Sequence, residues 1–123
     1  MTVDDLQSEP TGCESTLSAE DVRRVREHPQ QRDVDVFAAL ANDTRYEILR
    51  LIMSADGSVC GCELEPHLDV AQSSVSQSLS RLRKAGLLSR TKQGRWRYYD
   101  TTPLAEALLE TVDTSEQDSK VSA

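Results

Sequence analysis

The tripeptide Cys60-Gly61-Cys62 places two thiols one glycine apart. As thiolates they are soft ligands that prefer polarisable ions to hard ones. On a regular helix residues i and i+2 point roughly 200° apart, so both sulfurs can hold one ion only where the helix is absent or unwinds. Gly61 makes such a distortion cheap, and a place near a helix N-terminus lowers a thiol pKa. The third cysteine, Cys13, lies far upstream, and three cysteines fit no closed disulfide framework. His28 and His67 are too far apart in sequence to form a zinc motif, which leaves them surface or capping roles.

A second chemistry is electrostatic. Arg81, Arg83, Lys84, Arg90, Lys92, Arg95 and Arg97 supply seven positive charges between positions 81 and 97 with no acid among them, a local field suited to phosphates. Trp96, Tyr98 and Tyr99 interleave with the last of these bases, as in many nucleic-acid-binding surfaces. Immediately upstream, Ser73, Ser74, Ser76, Ser78 and Ser80 crowd into eight residues beside Gln72 and Gln77. Serine is a middling helix former, so helix stability explains the run poorly; access to base edges in a groove explains it better. The net charge of −7 argues the other way for the chain as a whole, but the acids lie elsewhere. Residues 1–43 carry 10 acids and 4 bases, residues 44–99 carry 5 and 9, and residues 100–123 carry 6 and 1. The acidic flanks suggest a cytoplasm of very high salt, where screening over roughly 3 Å at 1 M removes long-range repulsion from DNA.

These groups need elements to hold them. Residues 1–32 read as an acidic, partly ordered N-terminal arm with a short helix near 19–27, residues 33–112 as the folded domain, and residues 113–123 as an acidic flexible tail. Val34, Phe37, Ala38, Leu40 and Ala41 give the first amphipathic stripe. Asn42-Asp43 can cap a second helix that carries Ile48, Leu49, Leu51, Ile52 and Met53 and stops at residues 55–58. A short element around 63–68 must start late because Pro66 has no N–H to donate. Val75, Leu79, Leu82 and Ala85 then make one apolar face of a helix ending at Gly86, while Ser73, Ser74, Gln77, Ser80, Arg81 and Lys84 face outward. Residues 87–91 and 96–100 read as two strands around a turn at 92–95. Thr102-Pro103 opens a last helix with Leu104, Ala105, Leu108, Leu109 and Val112 on one side.

Helices first, then a tight turn between two of them, then a basic hairpin, is the order of a winged helix-turn-helix: mainly α with a two-stranded wing and a C-terminal helix. In such a fold the second helix of the pair enters the major groove and the wing reaches the neighbouring backbone. The expected DNA-contacting residues are Gln72, Ser73, Ser74, Ser76, Gln77, Ser80, Arg81 and Lys84 on the helix, with Lys92 and Arg95 on the wing. No apolar run approaches a membrane span, and residues 1–10 have no signal-peptide pattern, so the expected place is the cytoplasm. There is no Gly-rich phosphate loop, nucleophile triad or paired-acid site, and an enzyme is not expected.

The stretches Leu40–Ile52, Val59–Leu64 and Val70–Leu88 resemble the ArsR family of metalloregulatory winged-helix repressors. The resemblance spans about residues 34–110 and implies a homodimer, held by its first and last helices, that binds double-stranded operator DNA and releases it when a signal binds. Cys60-Gly61-Cys62 matches the Cys-x-Cys of the family's arsenic-sensing members, which implies As(III) or Sb(III) as inducer. A trigonal site for these ions wants three sulfurs, so Cys13, brought by the arm of the same or the partner subunit, is the expected third ligand. Two positions depart from the family pattern: Ser78 stands where many members have His, and Pro66 falls inside the first helix of the pair. A His- and carboxylate-rich site on the last helix is not expected, since residues 103–112 contain no His. Other readings of the same residues are a thiol redox or other metal sensor, and a winged-helix protein-interaction module that does not bind DNA.

Overall fold

The computed structural model describes residues 15–122, with side chains described through Ser115. The chain divides into two compact units, Met1–Gln30 and Gln31–Ala123.

In the first unit, helix α1 spans Ala19–Glu27. Ser18 caps it: its hydroxyl accepts from the Asp21 N–H at 3.0 Å while the Asp21 carboxylate accepts from the Ser18 N–H at 3.1 Å. These bonds and the neighbouring Arg24 hold the Asp21 carboxyl below its ordinary pKa. No side chain of α1 is buried, as the sparse apolar content of this stretch leads one to expect.

The second unit holds the core. Helix α2 spans Gln30–Leu40. It buries Val36 and Ala39, whereas Val34 and Phe37 are 55% and 61% exposed. The inward face is therefore rotated from the one that Val34 and Phe37 suggest. Helix α3, Asp43–Ser54, starts at its Asn42 cap, whose side-chain oxygen accepts from the Arg45 N–H at 2.9 Å. Arg45 in turn reaches back to α2, donating to the carbonyls of Ala39 at 2.8 Å and Ala38 at 3.1 Å, and so satisfies acceptors that a helix end leaves open.

Strand β1 is only Val59–Cys60. Helix α4, Gly61–Leu64, follows at once and runs into a 3-10 turn at Glu65–His67. The element thus begins before Pro66 rather than after it. Pro66 sits at the start of the 3-10 turn, a position where a missing N–H is tolerated. Helix α5, Gln72–Lys84, buries Val75, Ser78, Leu79 and Leu82. Its end is a Schellman arrangement: Gly86 has φ +85°, Leu87 N–H donates to Leu82 O at 3.0 Å, and Gly86 N–H donates to Arg83 O at 3.0 Å.

Strands β2, Leu88–Gln93, and β3, Trp96–Thr101, form the antiparallel hairpin, with Gln93 opposite Trp96 across the two-residue turn Gly94-Arg95. Gly94 at φ +62° supplies the positive φ that such a turn needs at its first position. The wing is more than two-stranded: β1 joins as a third strand in the order β1-β3-β2, with Val59 opposite Tyr99 and Cys60 opposite Tyr98.

Helix α6 spans Pro103–Ser122, so it continues through the stretch from 113 that the sequence reads as a tail. The Thr102 hydroxyl accepts from the Ala105 N–H at 3.3 Å and donates to Gly86 O at 2.7 Å. Further along, Arg50 of α3 grips Asp113 with two bonds of 3.0 and 2.8 Å, its guanidinium also donating to the Tyr46 hydroxyl. The pair lowers the Asp113 pKa and raises that of Arg50, in each case chiefly through their shared hydrogen bonds. Ile48, Leu49, Leu82, Leu87 and Leu109 are the largest fully enclosed side chains, and they form one core cluster with Val59, Leu88 and Tyr99 of the sheet, so α3, α5, the sheet and α6 share one core. No helix among the described residues is long and apolar enough to cross a membrane.

Candidate functional site

The thiols meet at the junction of a strand and a helix. Cys60 ends β1 and is the residue before α4; Cys62 is the second residue of α4. This change of backbone direction brings Cys60 Sγ to 2.7 Å from Cys62 Sγ, an approach that a continuous helix forbids and that needs no unwinding. Cys60 is buried and Cys62 exposed, and both are free thiols. The Glu63 carboxylate accepts from the Cys60 N–H at 2.8 Å and holds the turn closed. The Cys62 thiol is pushed up in pKa, first by its hydrogen bond with Cys60, then by burial and the Cys60 and Glu63 charges. That is opposite to the lowering expected from a helix N-terminus: α4 is a single turn, and its field is outweighed by these neighbours. Gly61 lies against the core, where an added Cβ would stand 3.4 Å from Leu79 Cδ1 of α5 and 3.6 Å from Tyr99 Cε2 of β3. Cys13 lies outside the described residues. Among the described residues no group of three or more His, Cys, Asp and Glu is placed to hold a metal ion, so these two sulfurs are a two-ligand set.

The polar face of α5 is a separate surface. Gln72, Ser73, Ser76, Gln77, Arg81 and Lys84 are exposed, and Ser74 and Ser80 are half-buried on its flanks. Ser78, by contrast, is 8% exposed. On the wing, Lys92 stands opposite Arg97 and Arg95 occupies the turn, all three exposed. Of the three aromatics among these bases, Trp96 is 49% exposed and Tyr99 belongs to the core at 7%. The geometry can therefore present hydrogen-bonding side chains along one helix and cations at both its C-terminal end and the hairpin tip. Sequence reasoning missed Ser78's burial, Arg45 and β1; the Val59-Cys60 pair, β-branched then small before a glycine, is the only local hint of the last.

A two-helix turn followed by a basic hairpin, with the second helix offering its polar face to solvent, defines a winged helix-turn-helix regulator. The family model for bacterial regulatory proteins of the arsR family matches residues 42–90. A Halobacterium salinarum protein named for arsenical resistance operon repression is 57% identical over 81 residues, which cover 66% of this chain and 68% of the relative. The chain belongs to the ArsR family of transcriptional regulators. The arsenical resistance operon repressor of Escherichia coli is 40% identical over 70 residues, covering 57% of this chain and 59% of that protein. The crystal structure of a regulator named for arsenical resistance superposes with a TM-score of 0.55 at 32% identity, over 72% of this chain and 94% of the other. These relatives are regulators rather than enzymes, in keeping with the absence of catalytic motifs from the sequence.

Proposed function

We propose that the chain is a cytoplasmic, homodimeric repressor of arsenical resistance genes, released from operator DNA when As(III), Sb(III) or a similar thiophilic ion binds Cys60 and Cys62. The observation that carries this reading is that the strand-to-helix junction turns the two free thiols towards one another beside a strand paired with the wing. Soft thiolates suit such an ion, which would supply covalent-like cross-linking of the two sulfurs. Cys60 is paired with Tyr98 of β3, and Gly61 leans on Leu79 of α5; a change in the junction therefore strains both DNA-facing elements. Cys13 serves as third ligand from the N-terminal arm. Gln72, Ser73, Ser74, Ser76, Gln77 and Ser80 read bases, while Arg81, Lys84, Lys92 and Arg95 meet phosphates. The exposed Val34 and Phe37 of α2 and Val112 of α6 supply apolar surface for the second copy.

The test is to add arsenite, antimonite, Cd(II), Zn(II) and peroxide separately to a preformed complex with DNA of its own promoter. Release by arsenite in the wild type and none in Cys60→Ser or Cys62→Ser is the expected result; absence of DNA binding at any salt would overturn the repressor reading. Cys13→Ser with unchanged arsenite affinity and release would remove the arm from the site. The close sulfurs also favour a thiol redox sensor, and release by peroxide but not arsenite selects that reading.

A further inference from the structure

We propose that Trp96 is a DNA-contacting residue whose indole enters the minor groove beside the wing and wedges against one base step in each half-site. The inference rests on the DNA-binding reading and adds an apolar contact to polar and charged ones. Trp96 is the chain's only tryptophan, and at 49% exposure it is the only large exposed hydrophobic on α5 or the hairpin. The others, Leu17, Val25, Val34, Phe37 and Val112, stand before or on α1, on α2 and on α6.

The register of the hairpin separates two kinds of surface. Residues directly opposite one another in a sheet share a face, and successive residues alternate. Leu88 and Tyr99 are buried, so the core-side face carries Leu88, Arg90 and Lys92 of β2 with Tyr99 and Arg97 of β3. Trp96 shares the other face with Gln93 opposite it and with half-buried Tyr98 and its partner Thr91. Two observations on these faces point to nucleic acid. Lys92 stands directly opposite Arg97, a pairing of like charges that weakens a hairpin, and neither they nor Arg90 has an ion pair among the described residues. A phosphate beside them removes that repulsion. On the reverse face of this cationic tip the indole lies open to water, because β3 begins at Trp96 and only Gly94 and Arg95 lie beyond it. The occupant must therefore bring phosphates and an apolar, stackable surface within one side chain's reach of each other, as duplex DNA does. With α5 in the major groove, the minor groove is left to the wing. Two paired strands are about 5 Å apart before side chains are added, too broad for a groove of about 6 Å, whereas a single side chain at the tip fits, as apolar wedges do in minor-groove binders. A wedge costs least at a flexible pyrimidine–purine step and most in a stiff A-tract. Trp96 thus sets a sequence preference at a step that no hydrogen bond reads.

Because Trp96 is the sole tryptophan, intrinsic fluorescence of the full chain reports it alone. Promoter duplex is expected to quench the emission and to shield it from acrylamide. In duplexes carrying 2-aminopurine at successive positions, one position per half-site should brighten as its neighbour unstacks. Trp96→Ala should weaken promoter binding roughly tenfold, the order of one lost stacking contact, and Trp96→Phe should recover most of that loss. Salt separates the two kinds of wing contact: the loss in Arg95→Gln should shrink as KCl rises, whereas the loss in Trp96→Ala should persist. Placing a stiff AA step instead of TA at the brightened position should weaken the wild type and leave Trp96→Ala unchanged. If Trp96→Ala loses its fold, judged by thermal melting, Trp96→Phe and the wild-type fluorescence carry the comparison. Unchanged emission in a tight complex, or a folded Trp96→Ala that binds like the wild type, would overturn the wedge and leave the repressor reading intact, whereas no wild-type binding overturns that reading itself. A concentration-dependent blue shift without DNA would place the indole between two copies and overturn the DNA assignment.

Discussion

The thiol junction and the wing tip share strand β3, and they are built in opposite ways. Beside the middle of the strand, Cys60 is buried, paired with Tyr98 and followed by Gly61, where an added Cβ would make ordinary contact with Leu79 and Tyr99. At its start, Trp96 follows the two-residue turn, and it, Arg95 and the neighbouring Lys92 of β2 are all exposed. The same contrast divides α5 lengthwise: Val75, Leu79 and Leu82 are locked in the core while Ser76 and Gln77 face solvent. Of the pair proposed to sense, Cys60 is thus embedded in a part that holds the fold while Cys62 is exposed, and the residues proposed to read DNA are held only by their backbone. On that reading a change at Cys60 cannot stay local, whereas the exposed surface can be altered without cost to the fold.

The largest expected effect breaks or keeps that division directly. Leu79→Ala, behind the junction, should cost about 2–5 kcal/mol in urea unfolding, whereas Ser76→Ala on the opposite side of the same helix should stay within about 0.5 kcal/mol; equal costs would erase the contrast. Next, Lys92→Gln and Arg95→Gln should each lower the salt dependence of promoter binding by about 0.9 in log–log slope while leaving the melting temperature unchanged. A smaller effect concerns thiol chemistry. Because Cys60 is the first cause of the raised Cys62 pKa, Cys62 is protonated near neutrality, and its alkylation rate should climb as pH rises past the ordinary thiol value. Cys60→Ala should move that rise to lower pH, measured by iodoacetamide labelling. The smallest is Asp113→Asn. Its folded-state pKa is lowered by Arg50, so the pair's contribution is present above the unfolded carboxylate value of about 3.9 and fades as pH falls below it. Wild-type and variant melting temperatures should differ slightly at pH 7 and converge in strong acid.

Where a structural feature depends on adjacent residues, the sequence was a sufficient guide. Asn42 as a cap, Gly86 at a helix end, Gly94 in the turn and Thr102-Pro103 at the start of α6 are each dictated by local backbone chemistry. Non-local features escaped. The α2 face is decided by what packs on Val36 and Ala39, not by the larger Val34 and Phe37. Strand β1 exists only because Tyr98 and Tyr99, far along the chain, offer it an edge, and the placing of the two sulfurs depends on that strand ending at Cys60. Helix α6 passes 113 with Asp113 tied to Arg50, a pairing 63 positions apart that no periodicity announces. Ser78 is buried because it stands three residues after Val75 and four before Leu82, on the inward stripe of α5, a place its polar side chain does not announce.

Thr102 joins two helices at a single residue: its hydroxyl caps α6 and donates to Gly86 O, while its N–H donates to Leu87 O at 3.2 Å. The end of α5 and the beginning of α6 are therefore pinned to one point. In an assembly of two copies joined through α6, that point acts as the joint of a caliper. The distance between the two recognition helices, and with it the spacing of half-sites along the DNA, would be set there rather than by any residue that touches a base.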